Sequence, residues 1–291
     1  MIISKIRGGL GNQLFQWASG HALAKKHDTE LFLDISTFQR NKTRKFELTD
    51  LGMPFQIATL EEIERAQSVC FYKQPSFHYD PNFNCLQDGG FIRGYFNSER
   101  YFLGEKKSIK RLMNEVIHKQ SLSENQQSIL DQIRESDNSI SIHVRRGDYV
   151  TNPSYSSFFG TCGLDYYSRA ISYIESLVEG HLSWFVFSDD LEWARENLPT
   201  VFGDISFVDV NSKANADYLD LFFMSACDHN IIANSTFSWW ASWTNSNKEK
   251  IVVAPMKWFS KPYREKAGKG AWIKDPDYSL EDLFPDKWVK L

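Results

Sequence analysis

Residues 143–149 read HVRRGDY, so two adjacent arginines, a glycine and an aspartate follow the apolar run SISIHV, which ends in His143 and Val144. Burying charge is costly, so Arg145 and Arg146 at the mouth of an apolar strand need a reason. A guanidinium presents a planar fork that pairs two oxygens at once and keeps its proton, which suits a diphosphate. Two further stretches carry compatible chemistry. FSDD at 187–190 supplies Asp189 and Asp190, carboxylates able to accept from a purine N–H or a ribose hydroxyl. NSTFSWWASW at 234–243 puts Asn234, Ser235 and Thr236 at a helix start, where free backbone N–H groups and the positive end of the dipole favour a phosphate. Together these residues describe a pocket for a nucleoside diphosphate.

Each stretch alone has a plainer reading. Aspartate after serine at a helix start is a common cap, and NST could equally be only an N-cap. The tandem arginines could form structural ion pairs with Asp148 and neighbouring acids. His143 by itself reads as a buried, satisfied histidine rather than a base. The joint placement of all of them on one sheet edge is what favours a site. The N-terminal GGLGNQ lacks the Walker spacing, and it fails G-x-G-x-x-G because Leu14 holds the place of the third glycine.

The elements that must position these residues follow from periodicity. From residue 139 onward, strand and helix patterns alternate: SISIHV, a helix over 165–179, LSWFVFS, a short helix DDLEWARENL, ISFVDV, a helix over 216–227, NIIA, a helix opened by NST, and IVVAP. Five strands and four helices in alternation predict a doubly wound parallel sheet of Rossmann type, which binds ligands beyond the carboxyl ends of its strands. The first 35 residues read as one βαβ unit: MIISKI, a helix over 13–27 and LFLDI. Residues 36–90 look irregular apart from a helix at TLEEIERAQ, and FIRGYF at 91–96 is a further strand. The polar, helix-prone stretch 100–137 links two halves, giving domains at 1–130 and 131–291.

The 291 residues carry 33 Lys and Arg against 37 Asp and Glu, a net charge of −4 that argues against a dedicated nucleic-acid binder. Nine Trp, 12 Tyr and 22 Phe could serve sugar faces, though each alone reads as core. The four cysteines show no C-x-x-C spacing and no clustering with histidine, so no metal site is expected and a reducing compartment fits. With no signal-peptide pattern and no long apolar run, a soluble cytoplasmic protein is expected, and the sequons at Asn41 and Asn234 then carry no glycan. The basic, aromatic stretch MKWFSKPYREKAGKG could touch an anionic membrane surface or a lipid-linked acceptor, or be a solvated loop.

GGLGNQLFQ at 8–16, HVRRGDY, FSDD and NSTFSWWASW, in this order, closely resemble the α-1,2-fucosyltransferases of glycosyltransferase family 11, a match running from residue 1 to about residue 255. The resemblance implies an α/β protein of GT-B type, two Rossmann-like domains facing across a cleft, the first on the acceptor side and the second binding donor. It implies GDP-β-L-fucose as donor, a galactoside 2-hydroxyl as acceptor within an oligosaccharide or O-antigen-type glycan, inversion, and no metal or other cofactor. By the same resemblance Arg145 and Arg146 clamp the pyrophosphate, and His143 and Asp189 or Asp190 lie near base or ribose. Ser235 and Thr236 contact phosphate, Asn234 is a further donor-binding residue, and Gly9, Gly11 and Asn12 approach diphosphate or fucose from the first domain. Catalysis falls to Arg146, with Asp148 as candidate base; where some related enzymes place a glutamate base, this chain has Pro153. Other GDP-sugar transferases and a non-catalytic carbohydrate-binding protein stand as alternatives.

Overall fold

The computed structural model describes residues 1–40, 44–118, 121–198, 204–209, 217–260 and 280–291. Contacts divide the chain into two units, Met1–Lys119 with Ala267–Pro285, and Gln120–Lys266 with Asp286–Leu291.

The first unit is built from β1 (Ile2–Lys5), α1 (Leu10–Lys26), β2 (Leu31–Asp34), α2 (Ser36–Arg40), β3 (Gln56–Ile57), α3 (Leu60–Val69), β4 (Phe71–Lys73), β5 (Phe91–Arg93) and α4 (Lys106–His118). Among the described residues its five strands are all parallel, in the order β3-β2-β1-β5-β4. The helix expected over 13–27 begins at Leu10, so its first turn takes in part of the glycine stretch. Thr59 starts α3 with a capping box, its hydroxyl accepting from the Glu62 N–H while Glu62 returns to the Thr59 N–H. Asp282, from the returning segment, accepts from the Tyr79 N–H at 3.1 Å and pairs with His78 at 3.2 Å and with Arg100.

The second unit comprises α5 (Glu124–Glu135), β6 (Ser139–Val144), α6 (Gly147–Thr151), α7 (Pro153–Phe158), α8 (Leu164–Glu175), β7 (Ser183–Ser188), α9 (Leu191–Asn197), β8 (Asp204–Phe207), α10 (Asp217–Ala226), β9 (His229–Ile231), α11 (Thr236–Thr244), β10 (Val252–Ala254) and β11 (Val289–Lys290). All six residues of β6 are buried, as a central parallel strand covered on both faces requires. Its Ile140, Ile142 and Val144 pack with Trp184 and Val186 of β7 and with Tyr167, Ala170, Ile171 and Ile174 of α8. The contact boundary falls eleven residues before the expected 130/131, because α5, with Leu130 and Ile133 buried, packs on α10 of the second unit.

The parallel strands run in the order β11-β10-β9-β6-β7-β8. Read from the other edge, this is the doubly wound 3-2-1-4-5-6 order, with β11 an edge strand beyond the predicted five. From β6 the chain builds outward through β7 and β8, then returns to the other side through β9. The order reverses between β6 and β9, and in such sheets the ligand crevice lies outside the carboxyl ends at that reversal.

Candidate active site

The carboxyl end of β6 delivers Arg145 and Arg146 directly, because the strand stops at Val144 and α6 starts at Gly147. The two arginines are held differently. Arg145 donates through Nη2 to Asp148 Oδ1 at 2.6 Å and pairs through Nη1 with Asp189 Oδ2 at 3.1 Å, with its guanidinium 5.3 Å from the Tyr149 ring centre. Burial works against its charge, but Asp189, Tyr149 and Asp148 outweigh burial and raise its pKa further. Arg146 donates through Nε to Asp190 Oδ2 at 3.2 Å, and its guanidinium stacks 3.9 Å over the Trp193 ring centre. Its two Nη groups make no hydrogen bond among the described residues. Arg145 is therefore a locked cation, whereas Arg146 keeps the bidentate edge of its fork available.

Asp189 and Asp190 serve the arginines. Asp189 Oδ1 accepts from the Arg146 backbone N–H at 2.8 Å while its other oxygen faces Arg145. Asp190 is the N-cap of α9 and accepts from the Trp193 N–H at 3.2 Å, so the plain capping reading describes its geometry. A β-carbon on residue 147 would collide with the Asp189 carboxylate, which is why a glycine follows the arginine pair.

On the other side of the reversal, β9 leads into the turn that opens α11. Ser235 is the N-cap, its hydroxyl accepting from the Phe237 N–H at 3.3 Å, and no acid stands in the first turn. The Thr236 hydroxyl is half-buried and makes no hydrogen bond among the described residues. The Tyr149 hydroxyl donates to the Asn234 carbonyl at 3.3 Å and ties the two turns together. Asn234 itself is 1% exposed and donates to the carbonyls of Phe159, Gly160 and Trp258 at 3.3, 3.3 and 3.0 Å. Its side chain staples two loops behind the site. His143 is 5% exposed, with Nδ1 buried and unpartnered and its ring 5.8 Å from Phe237. Burial, helped by the Arg145 charge, lowers its pKa to about 3, so it is neutral at physiological pH.

Gly9, Gly11 and Asn12 belong to the first unit. Gly9 is the N-cap of α1 and Gly11 is a buried residue inside that helix, while the positive φ of the turn, 84°, is at Gly8. Asn12 Oδ1 accepts from Asn97 at 3.5 Å. Asp34 stands at the end of β2, where a dinucleotide-binding sheet keeps its ribose-binding acid, but here it is 2% exposed and paired with Lys5 at 2.7 Å. No group of three or more His, Cys, Asp or Glu suited to a metal ion exists among the described residues.

Comparison with known proteins decides the family. The sequence model of glycosyl transferase family 11 matches residues 79–275. The chain is 34% identical to the O-antigen biosynthesis glycosyltransferase WbnK of Escherichia coli, over 93% of this chain and 99% of that one. The chain belongs to glycosyltransferase family 11. It is 28% identical to an alpha-1,2-colitosyltransferase of Escherichia coli, over 100% of this chain and 99% of that one. It is also 28% identical to galactoside alpha-(1,2)-fucosyltransferase 1 of Pan troglodytes, over 81% of this chain and 63% of that one. Membership of an enzyme family removes the alternative of a non-catalytic carbohydrate-binding protein.

Within this family 11 enzyme the sequence motifs led to the reversal point, but three residues that shape it were not singled out. They are Trp193 on α9, and Tyr149 and Gly147 on α6. The order D-L-E-W carried the available signal for Trp193, since a capping aspartate bonds to the backbone N–H of the third residue after it and so holds that residue close by.

Proposed function

We propose that this glycosyltransferase moves L-fucose from GDP-β-L-fucose to the 2-hydroxyl of a terminal galactose, with inversion, in an oligosaccharide or O-antigen-type glycan. The observation that carries the donor half of this reading is Arg146. It follows the carboxyl end of β6, the strand next to the order reversal, and is anchored through Nε and one face with its Nη edge unpartnered among the described residues; the acid-free first turn of α11 follows β9, the strand across that reversal. A diphosphate leaving group needs a fixed bidentate cation and free N–H donors, and both are provided.

As the bond from the fucosyl carbon to phosphate lengthens, the sugar gains oxocarbenium character and negative charge grows on GDP. Arg146, held before the charge appears, stabilises it without reorganising, with Thr236 and the backbone N–H groups of the α11 start assisting. Arg145 adds its field while bracing Asp148 and Asp189. The acceptor oxygen attacks the opposite face of the carbon, and its proton leaves to a base. Asp148 is the candidate base; its Oδ1 already accepts from Arg145, so the alternative role is to support that arginine. His143 and Asn234, both buried, act from behind the pocket. Gly9, Gly11 and Asn12 of the first unit are further candidate donor-binding residues in this reading. In this reading the arginines neutralise the diphosphate and no metal is needed, so chelation leaves turnover unchanged. No helix among the described residues is long and apolar enough to cross a membrane. The enzyme would meet a lipid-linked acceptor peripherally, at the cytoplasmic face. Most of the basic stretch expected to assist, from Lys261 through Lys269, lies outside the described residues.

A second reading takes GDP-colitose as donor, because the similarity to an alpha-1,2-colitosyltransferase spans this whole chain. Incubation with GDP-fucose, GDP-colitose and GDP-mannose against a panel of galactosides, followed by linkage analysis, tests both. Transfer of fucose to a galactose 2-hydroxyl is the expected result. Turnover with GDP-colitose alone would favour the second reading, and turnover with GDP-mannose alone would overturn both.

A further inference from the structure

Trp193 lies on α9, three residues beyond the FSDD stretch, and it forms the surface on which Arg146 rests. The guanidinium sits 3.9 Å above the indole centre, at the distance of a stacked cation. The same carboxylate, Asp190, fixes both partners. One oxygen caps α9 through the Trp193 N–H at 3.2 Å, and the other accepts from Arg146 Nε at 3.2 Å. Cap, indole and guanidinium therefore form one unit whose parts cannot shift independently. Among the described residues Arg146 pairs with no second carboxylate of the kind that locks Arg145. The indole takes that place, and it does so without occupying the Nη groups. A carboxylate there would compete with a diphosphate for the same donors, whereas an aromatic face holds the plane and leaves the edge unsatisfied.

We propose that Trp193 is a positioning residue for the transfer reaction: its indole holds the Arg146 guanidinium in the plane that presents both Nη groups to the departing diphosphate. This rests on the reading of Arg146 as the diphosphate ligand. Trp193 also packs against the core of the second unit, so a purely structural role is the competing explanation.

The experiment combines turnover with GDP binding by calorimetry in four full-length proteins: wild type, Trp193→Leu, Arg146→Ala and the double variant, with Trp193→Phe as the conservative control. Removing one preorganised donor to a developing charge costs about 10²–10³ in kcat, and loosening it should cost about a tenth of that, so Trp193→Leu is expected to lose roughly 10–100-fold in kcat. Trp193→Phe, which keeps an aromatic face, is expected within about threefold of wild type. GDP affinity falls about tenfold from wild type to Trp193→Leu, but less than about twofold from Arg146→Ala to the double variant, since the indole acts only through that side chain. Equal losses of GDP affinity in both backgrounds, or turnover of Trp193→Leu at the wild-type level, would overturn the inference. If Arg146→Ala itself keeps normal turnover and GDP affinity, the diphosphate reading fails and the positioning role fails with it. Thermal denaturation of each variant identifies a loss that comes only from unfolding.

Discussion

The Asp189 carboxylate lies where a β-carbon on residue 147 would be, so Gly147 and Asp189 share one small space between β6 and β7. Gly147→Ala must move Asp189, which pairs with Arg145 and accepts from the Arg146 N–H. Overpacking of this kind costs about 1–3 kcal/mol. The variant should show a lower melting temperature and at least tenfold lower turnover, a part of the roughly 10²–10³ that outright loss of one positioned donor costs. Wild-type kinetics in Gly147→Ala would mean that the carboxylate relocates without consequence for the arginines.

The two arginines should fail in different ways. Arg146→Ala removes a partly paired cation with an available edge, and is expected to lose about 10² or more in kcat with modest change in folding stability. Arg146→Lys should recover little, because a lysine has no planar fork. Arg145→Ala instead leaves Asp148 and Asp189 without their cation. Breaking a buried pair costs about 3–5 kcal/mol, and these partners are partly solvated, so about 2–3 kcal/mol of unfolding free energy is expected to go. Urea titration alongside kinetics separates the two patterns.

Asp148 can be assigned by one substitution. If it takes the acceptor proton, Asp148→Asn lowers kcat by about 10²–10⁴ while GDP affinity stays close to wild type. If it only braces Arg145, GDP affinity and stability fall together with rate. Calorimetry with GDP beside initial-rate measurements distinguishes the outcomes.

Acid should destabilise the fold through His143. Its folded pKa, about 3, lies below the ordinary 6.5, so at intermediate pH the unfolded chain binds a proton that the folded chain does not. Stability therefore falls as pH drops from about 6.5 toward 3, by about 1.4 kcal/mol per pH unit for this one group in mid-window. His21 and His229, also lowered by burial, add in the same direction. Urea midpoints at pH 7 and pH 5 for wild type and His143→Asn measure the difference. An unchanged pH slope in the variant would show that the buried ring is not the source.

Much of the second unit is legible because its central strands are long and apolar. SISIHV and SWFVFS are buried over almost their whole length, and that continuity is a sequence property. In the first unit, β3 and β4 span two and three residues, exposed except for Tyr72, so no hydrophobic period marks them. They are strands because neighbours offer a ladder, which no local pattern records. The reversal point was legible through its polar residues, since arginines after a buried strand and hydroxyls before a helix signal an anion by chemistry alone. The division of labour between Arg145 and Arg146 was not, because it depends on which way two adjacent side chains leave the backbone. Neither was the burial of Asn234, whose side chain reads the same whether it faces a ligand or three carbonyls.

Asp282 bonds to His78, Arg100 and the Tyr79 amide although some two hundred positions of chain separate them. A fragment ending at Lys119 would carry every strand of the first sheet yet leave those three groups without their carboxylate. The chain after Asp282 then contributes β11 to the other sheet. Cutting the polypeptide once, anywhere in its interior, therefore cannot yield two self-sufficient halves, and a split-protein experiment on this enzyme would need Asp282 supplied in trans.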